Sequence, residues 1–240
     1  MNPPRTSCAQ CRRNIPLNAS GSSFTCGCST VLCTSCGFPI HPGYTCYYNL
    51  ATTSYQVIDL SQPTSIPNLQ PLLTQENNKV INHFNSTRGN LNFIKAHLII
   101  NKPLEERYLA KKNLMASQCG GANRVNEILV WHGSSEANYA SIMRDGLKVG
   151  GVDGISAVHG TSYGYGVYSG KSFSTAVGYV NGSKKVILFN GLLGNNSGSA
   201  INSNSVQALN NGSTHSYTSG DISVFFTKEQ VIPRFLVEYS

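Results

Sequence analysis

Charged residues are scarce in this sequence. They make up 12% of its 240 residues, about half the share of an average globular protein, while 40% are hydrophobic and can form a core. The formal net charge is +7, which on its own favours an anionic ligand or nucleic acid. However, no four basic residues follow one another, so the charge pattern does not favour nucleic acid as a partner.

Long hydrophobic runs are also missing. The longest uninterrupted apolar runs, such as residues 128–131, are far shorter than the roughly 20 residues that cross a bilayer. Residues 1–5 lack the apolar core of a secretory signal peptide. We therefore expect no membrane span and a cytoplasmic or nuclear location, where cysteines stay reduced.

Cysteine is almost absent after residue 46. Seven of the eight cysteines lie between positions 8 and 46, and the eighth is Cys119. Seven cysteines and His41 supply the eight thiolate and imidazole ligands that two tetrahedral zinc ions require. The segment is too short to form a large core, and zinc binding would therefore supply its folding free energy. A disulfide-bonded module is the alternative, which the odd cysteine count and His41 disfavour. The predicted ligands are Cys8, Cys11, Cys26, Cys28, Cys33, Cys36, His41 and Cys46.

The ligand spacing resembles the in-between-RING (IBR) zinc module of RING-between-RING ubiquitin ligases, most closely over residues 33–46, CTSCGFPIHPGYTC. One departure is the first pair, which is separated by two residues where the family usually has four. The resemblance implies sequential ligation, with the first four ligands on one ion and the last four on the other. A cross-brace arrangement remains the alternative. The resemblance also implies ubiquitin-pathway partners, but no second cysteine-rich module follows, so we predict a structural or docking role.

The rest of the chain has the patterning of a globular domain. Apolar periodicity predicts one helix over residues 73–86, and Pro103 is well placed to begin a second that runs to about residue 117. Ser135 can cap a third helix that Gly146 ends. Strands are predicted at residues 91–100, 128–131, 167–168 and 186–189, and two short apolar segments follow at residues 224–226 and 235–237. Over residues 194–221, 19 of 28 residues are Gly, Asn, Ser or Thr, which predicts a long mobile loop.

Two segments place polar and aromatic groups where a ligand could bind. His132 follows the strand at residues 128–131, and Gly133 after it permits close approach of a ligand to the backbone. Residues 163–179, YGYGVYSGKSFSTAVGY, combine glycines with Tyr168 and Tyr179, whose rings could stack on a planar ligand. These segments predict a pocket for a planar heterocycle. Ordinary core or surface tyrosines are the alternative.

Four motifs, in this order, resemble the catalytic domain of the PARP family of ADP-ribosyltransferases. They are INKPLEERYLAKK at residues 100–112, VWHGS at 130–134, HGTSYGYGVY at 159–168 and SVFFTKEQVIPRFLVEY at 223–239. The resemblance implies a mixed α/β transferase domain with a two-sheet β core over residues 55–240. With the predicted two-zinc module over residues 1–50, the whole chain is predicted to be α+β. The resemblance also implies a glycosyltransferase-class enzyme that consumes NAD, releases nicotinamide and modifies target proteins.

The resemblance assigns roles to individual residues. In the family, the His of the His-Gly pair binds the adenosine ribose and the Gly backbone holds the nicotinamide carboxamide. The first Tyr of the later motif lines the nicotinamide ribose site, and the second stacks on the nicotinamide. A Ser that binds the carboxamide usually lies three residues before that second Tyr, where this chain has Ala176, with Ser174 and Thr175 nearby. The predicted NAD-binding residues are His132, Gly133, Ser134, Tyr168, Ser174, Ala176 and Tyr179.

The third member of the predicted catalytic set, after His132 and Tyr168, is Ile222. Counting back from Gln230 places it where the family has a Glu that contacts the ribose 2′-hydroxyl and supports chain elongation. Members with an apolar residue there attach single ADP-ribose units, so the resemblance favours mono-ADP-ribosylation of proteins. Asp221 is adjacent, but side chains alternate along a strand, so it should face away unless a bulge intervenes.

Two alternatives remain open from the sequence. The first is a polymerising or nucleic-acid-modifying transferase, because the basic balance could attract polyanions. The second is a module that binds NAD or ADP-ribose with little or no turnover and docks a ubiquitin-pathway protein, because Ala176 and Ile222 both weaken the expected site.

Overall fold

The computed structural model describes residues 5–8, 11, 14–16, 23–33, 48, 53–64, 69–156, 162–197 and 214–240. The predicted zinc ligands Cys36, His41 and Cys46 lie outside these residues. The first three residues of the third motif, His159, Gly160 and Thr161, and part of the loop predicted over residues 194–221 also lie outside them.

Two short antiparallel strand pairs form the described part of the N-terminal segment. The strands are β1 (Arg5–Ser7), β2 (Asn14–Pro16), β3 (Ser23–Thr25) and β4 (Val31–Cys33). β1 pairs with β2, and β3 pairs with β4. Leu32 is fully buried and packs with Cys8 and Cys26. The apolar cluster around Leu32 is too small to hold the segment together, because so few residues bury little apolar surface.

A large sheet forms the centre of the domain that follows. Its strands are β5 (Tyr55–Asp59), β6 (Phe93–Asn101), β7 (Glu127–His132), β8 (Val167–Gly170), β9 (Lys185–Leu192), β10 (Asn196–Ser197), β11 (Ser216–Ser219), β12 (Ile222–Phe225) and β13 (Val231–Tyr239). Within the described residues these nine strands are hydrogen-bonded in the order β10-β11-β12-β8-β7-β9-β13-β6-β5. Neighbouring strands run antiparallel, except that β10 and β11 are parallel.

The prediction of a two-sheet core is therefore wrong: the nine described strands of this domain form one sheet with a weak joint. β7 pairs with β9 along its whole length, but it meets β8 at a single pair, Trp131 with Gly170. The two halves of the sheet separate on either side of this pair. A cleft can open there because few backbone hydrogen bonds cross the joint.

Helices cover both faces of the sheet. They are α1 (Gln70–Thr87), α2 (Lys102–Cys119), α3 (Tyr139–Asp145) and α4 (Phe173–Val177). Alternate residues of β7 enter separate cores, since Trp131 packs with α1 and α4 while Val130 packs with α3. The Phe173 ring packs edge-on against Phe84 at 4.7 Å and Trp131 at 4.8 Å between ring centroids. The result is a mixed α/β domain with a large sheet and few helices.

The elements with strong apolar patterning agree with the sequence predictions, with ends that differ by a few residues. The helix predicted at residues 73–86 is α1, and Pro103 lies in the first turn of α2. The predicted cap at Ser135 is wrong, because its side chain makes no capping hydrogen bond and a single 3-10 turn, Glu136–Asn138, precedes α3. Gly146 ends α3 as predicted, with its N–H bonded to the Ile142 carbonyl at 3.0 Å.

The loop predicted over residues 194–221 is wrong in its described parts, which contain β10 and β11. The serines of β11 do not favour a strand, but β11 gains its register from β12, whose Val224 and Phe225 are fully buried. Ser216 is itself fully buried, and its hydroxyl donates to the Leu193 carbonyl at 2.8 Å. No helix in the described parts of the chain is long and apolar enough to span a membrane.

Candidate active site

A cleft of about 650 Å³ lies beside the end of β7, along β8 and at the start of β12, between α3 and α4. It contains seven of the eight residues predicted from sequence for the NAD site and the catalytic set: His132, Gly133, Ser134, Tyr168, Ala176, Tyr179 and Ile222. Ser174 is the exception. The joint between the two halves of the sheet forms the floor, since Trp131 and Gly170 also line the cleft.

His132, the last residue of β7, is held in one tautomer. Its Nδ1 lies 2.9 Å from the carbonyl oxygen of Tyr168, and because a carbonyl can only accept, Nδ1 carries the proton. Burial lowers the pKa of His132, and the hydrogen bond to Tyr168 opposes this effect in part. The imidazole is therefore neutral near pH 7, and its Nε2 is a hydrogen-bond acceptor. A ribose hydroxyl is a suitable donor for such a group.

Gly133 allows the backbone to pass directly beside α4. A Cβ added at this position would lie 1.9 Å from the Ala176 carbonyl oxygen and 3.1 Å from Val180 Cγ1. Real carbon atoms do not approach so closely, so the position requires glycine. The contact brings α4 and the turn after it, residues 173–180, against the end of β7; we call this segment the α4 wall.

Tyr168 contributes its ring to the cleft, while its hydroxyl is engaged elsewhere. The hydroxyl donates to the Gly164 carbonyl at 2.8 Å and accepts from the Tyr163 N–H at 2.9 Å. Burial raises the pKa of Tyr168, so its hydroxyl does not serve as a base near neutral pH. The Tyr163 ring stacks beside it, with centroids 6.4 Å apart. Both hydrogen bonds fix residues 163–168 along the edge of the cleft.

The α4 wall separates the residues that face the cleft from Ser174. Ala176 is buried and Tyr179 is 52% exposed, so the tyrosine ring can receive a ligand. Ser174 is exposed, does not line the cleft, and lies 3.2 Å from the Ser172 hydroxyl. Thr175 lines the cleft instead. The signal that the sequence offered is that Thr175 directly precedes Ala176 in the chain.

Ile222 begins β12 opposite Gly170 and lines the cleft. The neighbouring carboxylate of Asp221 is turned toward α4, where it accepts from the Ser172 N–H at 2.9 Å and from the Ser172 hydroxyl at 2.8 Å. Asp221 does not line the cleft. Of the described residues, Asp145 supplies the one carboxylate in the lining, and it is paired with Arg144 at 2.8 Å. The position at the start of β12 therefore presents an apolar side chain.

Comparison with protein families matches the poly(ADP-ribose) polymerase catalytic domain over residues 74–234, more than half of the 240-residue chain. The chain belongs to the PARP catalytic-domain family. Its activity is accordingly that of an NAD-dependent ADP-ribosyltransferase, with NAD as co-substrate. No curated protein matches the chain.

A cysteine cluster precedes the PARP domain. The sulfur atoms of Cys8, Cys11, Cys26 and Cys28 all lie within 4.8 Å of one another. Zn–S bonds of about 2.3 Å in a tetrahedron place sulfur atoms about 3.8 Å apart, so the four thiols fit one zinc ion. Hydrogen bonds between the Cys28 thiol and the side chain and backbone of Thr30 lower the pKa of that thiol to about 6. The grouping is the one that sequential ligation requires.

The other described cysteines lie apart from this cluster. Cys33 is buried in β4. Cys119 ends α2 and is buried, with its sulfur 3.9 Å from Nδ1 of His215. The second predicted ligand set, to which Cys33 belongs, falls mostly outside the described residues.

Proposed function

We propose that this PARP domain transfers single ADP-ribose units from NAD to protein side chains and releases nicotinamide. The observation that carries the proposal is the apolar Ile222 at the start of β12, in the cleft, beside an Asp221 whose carboxylate is committed to Ser172. Elongation needs a polar group that can orient a ribose hydroxyl of an ADP-ribose already attached. An isoleucine side chain has neither a donor nor an acceptor.

The remaining cleft residues support binding of NAD. The Nε2 of His132 can accept from the adenosine ribose, the narrow passage at Gly133 brings backbone groups to the nicotinamide carboxamide, and Tyr179 offers its ring for stacking. Ala176 cannot supply the usual serine hydroxyl, so the carboxamide depends on the backbone at Gly133. These groups orient NAD, and orientation alone contributes a large part of the rate enhancement in transfer reactions.

Cleavage of the bond between ribose C1 and nicotinamide develops positive charge on the ribose, as in glycoside cleavage. In this cleft the opposing negative charge would come from the NAD phosphates and from a carboxylate of the target protein, because the described lining carries no free carboxylate near Ile222. The nucleophile attacks C1, nicotinamide leaves with the bonding electron pair, and any proton that the acceptor group carried passes to solvent.

Intact mass spectrometry of a modified target protein tests this function. We expect mass increments of one ADP-ribose per modified site with the unmodified enzyme. Ile222→Glu should add longer chains, because it restores a ribose-binding carboxylate, and Ile222→Gln is the matched control of similar size without charge. Polymer made by the wild-type enzyme would contradict single-unit transfer. An absence of nicotinamide release would favour a binding module instead.

We also propose that the N-terminal segment binds two zinc ions, one of them held by Cys8, Cys11, Cys26 and Cys28, and docks a ubiquitin-pathway protein. The first site is supported by the clustering of four thiols within 4.8 Å, and the second by the spacing of the four later ligands. Metal analysis of the purified protein should find two zinc ions per chain. Cys26→Ser should remove one ion, and Cys119→Ser, outside the cluster, should remove none. An unchanged zinc content in Cys26→Ser would contradict the first site.

A further inference from the structure

The end of β7 departs from β9 in an unusual way. The two strands pair from Glu127 with Leu192 to His132 with Ile187. In this antiparallel register, Ser134 is opposite Lys185. Their pairing is nevertheless not made, because the Lys185 N–H donates to the hydroxyl of Ser183 at 3.2 Å. The backbone groups of Ser134 and Lys185 are therefore separated at the point where β7 enters the cleft.

The hydroxyl of Tyr139 occupies the gap between these two backbone groups. It accepts from the Ser134 N–H at 3.2 Å and donates to the Lys185 carbonyl at 2.5 Å. One side-chain oxygen thus replaces a direct strand-to-strand hydrogen bond. Burial raises the pKa of Tyr139, so the hydroxyl keeps the proton that it donates.

The surrounding contacts hold Tyr139 and its partners in place. The Tyr139 ring is 3% exposed and packs in the core formed by α3 and the sheet. Glu136, one turn earlier, accepts from the Ser183 hydroxyl at 2.6 Å and from Lys185 Nζ at 2.5 Å. These contacts fix the start of β9 at Lys185, and the Tyr139 hydroxyl therefore determines how far the backbone of Ser134, just after β7, lies from it.

We propose that Tyr139 is a positioning residue whose hydroxyl sets the width of the cleft at Gly133 and Ser134. Tyr139 does not itself line the cleft, whereas both of those residues do. Without the hydroxyl, the Ser134 N–H and the Lys185 carbonyl either lose their partner or bond to each other directly. Both outcomes move the backbone that contacts NAD. The inference rests on the proposed binding of NAD in this cleft.

Tyr139→Phe removes only the hydroxyl, and Tyr108→Phe is a matched control. Tyr108 is 4% exposed and donates to Glu127 at 2.8 Å, outside the cleft. We expect Tyr139→Phe to raise the KM for NAD about three- to tenfold, the effect of one hydrogen bond. Because Tyr139 acts on the bound state and the transition state alike, kcat should change less than twofold. Tyr108→Phe should lower the Tm with an unchanged KM. A wild-type KM in folded Tyr139→Phe would overturn the proposal.

Hydrogen exchange at the Ser134 amide of the unmutated protein tests the same hydrogen bond without a variant. We expect slow exchange without NAD, because the Tyr139 hydroxyl accepts that proton. Exchange as fast as in an open loop would overturn the proposal. Because exchange does not need turnover, it tests the hydrogen bond on which the role of Tyr139 depends even if the protein released no nicotinamide, an outcome that would contradict the proposed function alone.

Discussion

Gly133→Ala should abolish most of the activity, although it adds only one methyl group. The added Cβ would lie 1.9 Å from the Ala176 carbonyl oxygen. Because such contacts essentially never fall below 3.0 Å, the end of β7 and α4 must separate by about 1 Å. Neither atom belongs to a flexible side chain, so the backbone itself must move. A displacement of about 1 Å can cost about 100-fold in rate.

Gly178→Ala provides the control for this substitution on the same wall. Gly178 has a right-handed helical conformation, with φ −61°. A Cβ there would approach the Thr175 carbonyl oxygen no closer than 3.4 Å, an ordinary contact. We expect this variant to keep wild-type activity and to gain about 0.4–1 kcal/mol of stability, because alanine restricts the unfolded chain.

The measurement is kcat/KM for nicotinamide release, together with the Tm of each variant. We expect a loss of about 100-fold in Gly133→Ala and a free energy of unfolding lower by about 1–3 kcal/mol, as for other overpacked sites. A folded Gly133→Ala protein whose kcat/KM stays within twofold of wild type would refute the close approach of α4 to the His-Gly segment.

Two further predictions concern stability. Glu105 and Arg234 form a buried bidentate ion pair. In urea unfolding, Glu105→Gln should lower the free energy of unfolding by about 3–5 kcal/mol because it leaves the charge of Arg234 buried without its partner, whereas the double variant Glu105→Leu, Arg234→Met should recover most of that loss. Equal losses in both variants would argue against this origin. Burial lowers the pKa of His83, His132 and His215, so the unfolded chain binds more protons than the folded one below about pH 6.5. The stability that these histidines contribute as neutral groups is present above that pH and should be lost as the pH falls further. Urea unfolding between pH 7.5 and 5 measures how steeply the free energy of unfolding falls with pH, and His83→Gln should reduce that slope. A free energy of unfolding that does not change over this range would contradict the prediction.

Apolar periodicity made the regular elements predictable. The pattern around Leu73, Val80 and Phe84 predicts α1 to within three residues at either end, because its buried face repeats with the helical period. β11 was missed although Tyr217 and Thr218 favour strands, because serine, glycine and asparagine dominate the segment around them. Its polar side chains become a strand through pairing with β12, and a tertiary partner of this kind leaves no local pattern in the sequence.

The candidate site was predictable where family motifs are contiguous. His132, Gly133 and Tyr168 lie in such motifs and line one cleft. Ser174 was a weaker choice, because sequence proximity to Tyr179 does not establish which helix face a residue occupies. The bridge from Tyr139 to Lys185 joins residues 46 positions apart. A contact of this kind depends on the register of two strands and the packing of α3.

The weak joint in the sheet gives His132 a second, mechanical role. Apart from the Trp131 and Gly170 pair, the bond from His132 Nδ1 to the Tyr168 carbonyl is a direct link across it. An alanine at position 132 would loosen the sheet and remove the ribose acceptor together, so its lost activity would combine two causes. Asparagine can place an N–H near the position of Nδ1 while lacking Nε2. It therefore separates cohesion of the sheet from recognition of NAD.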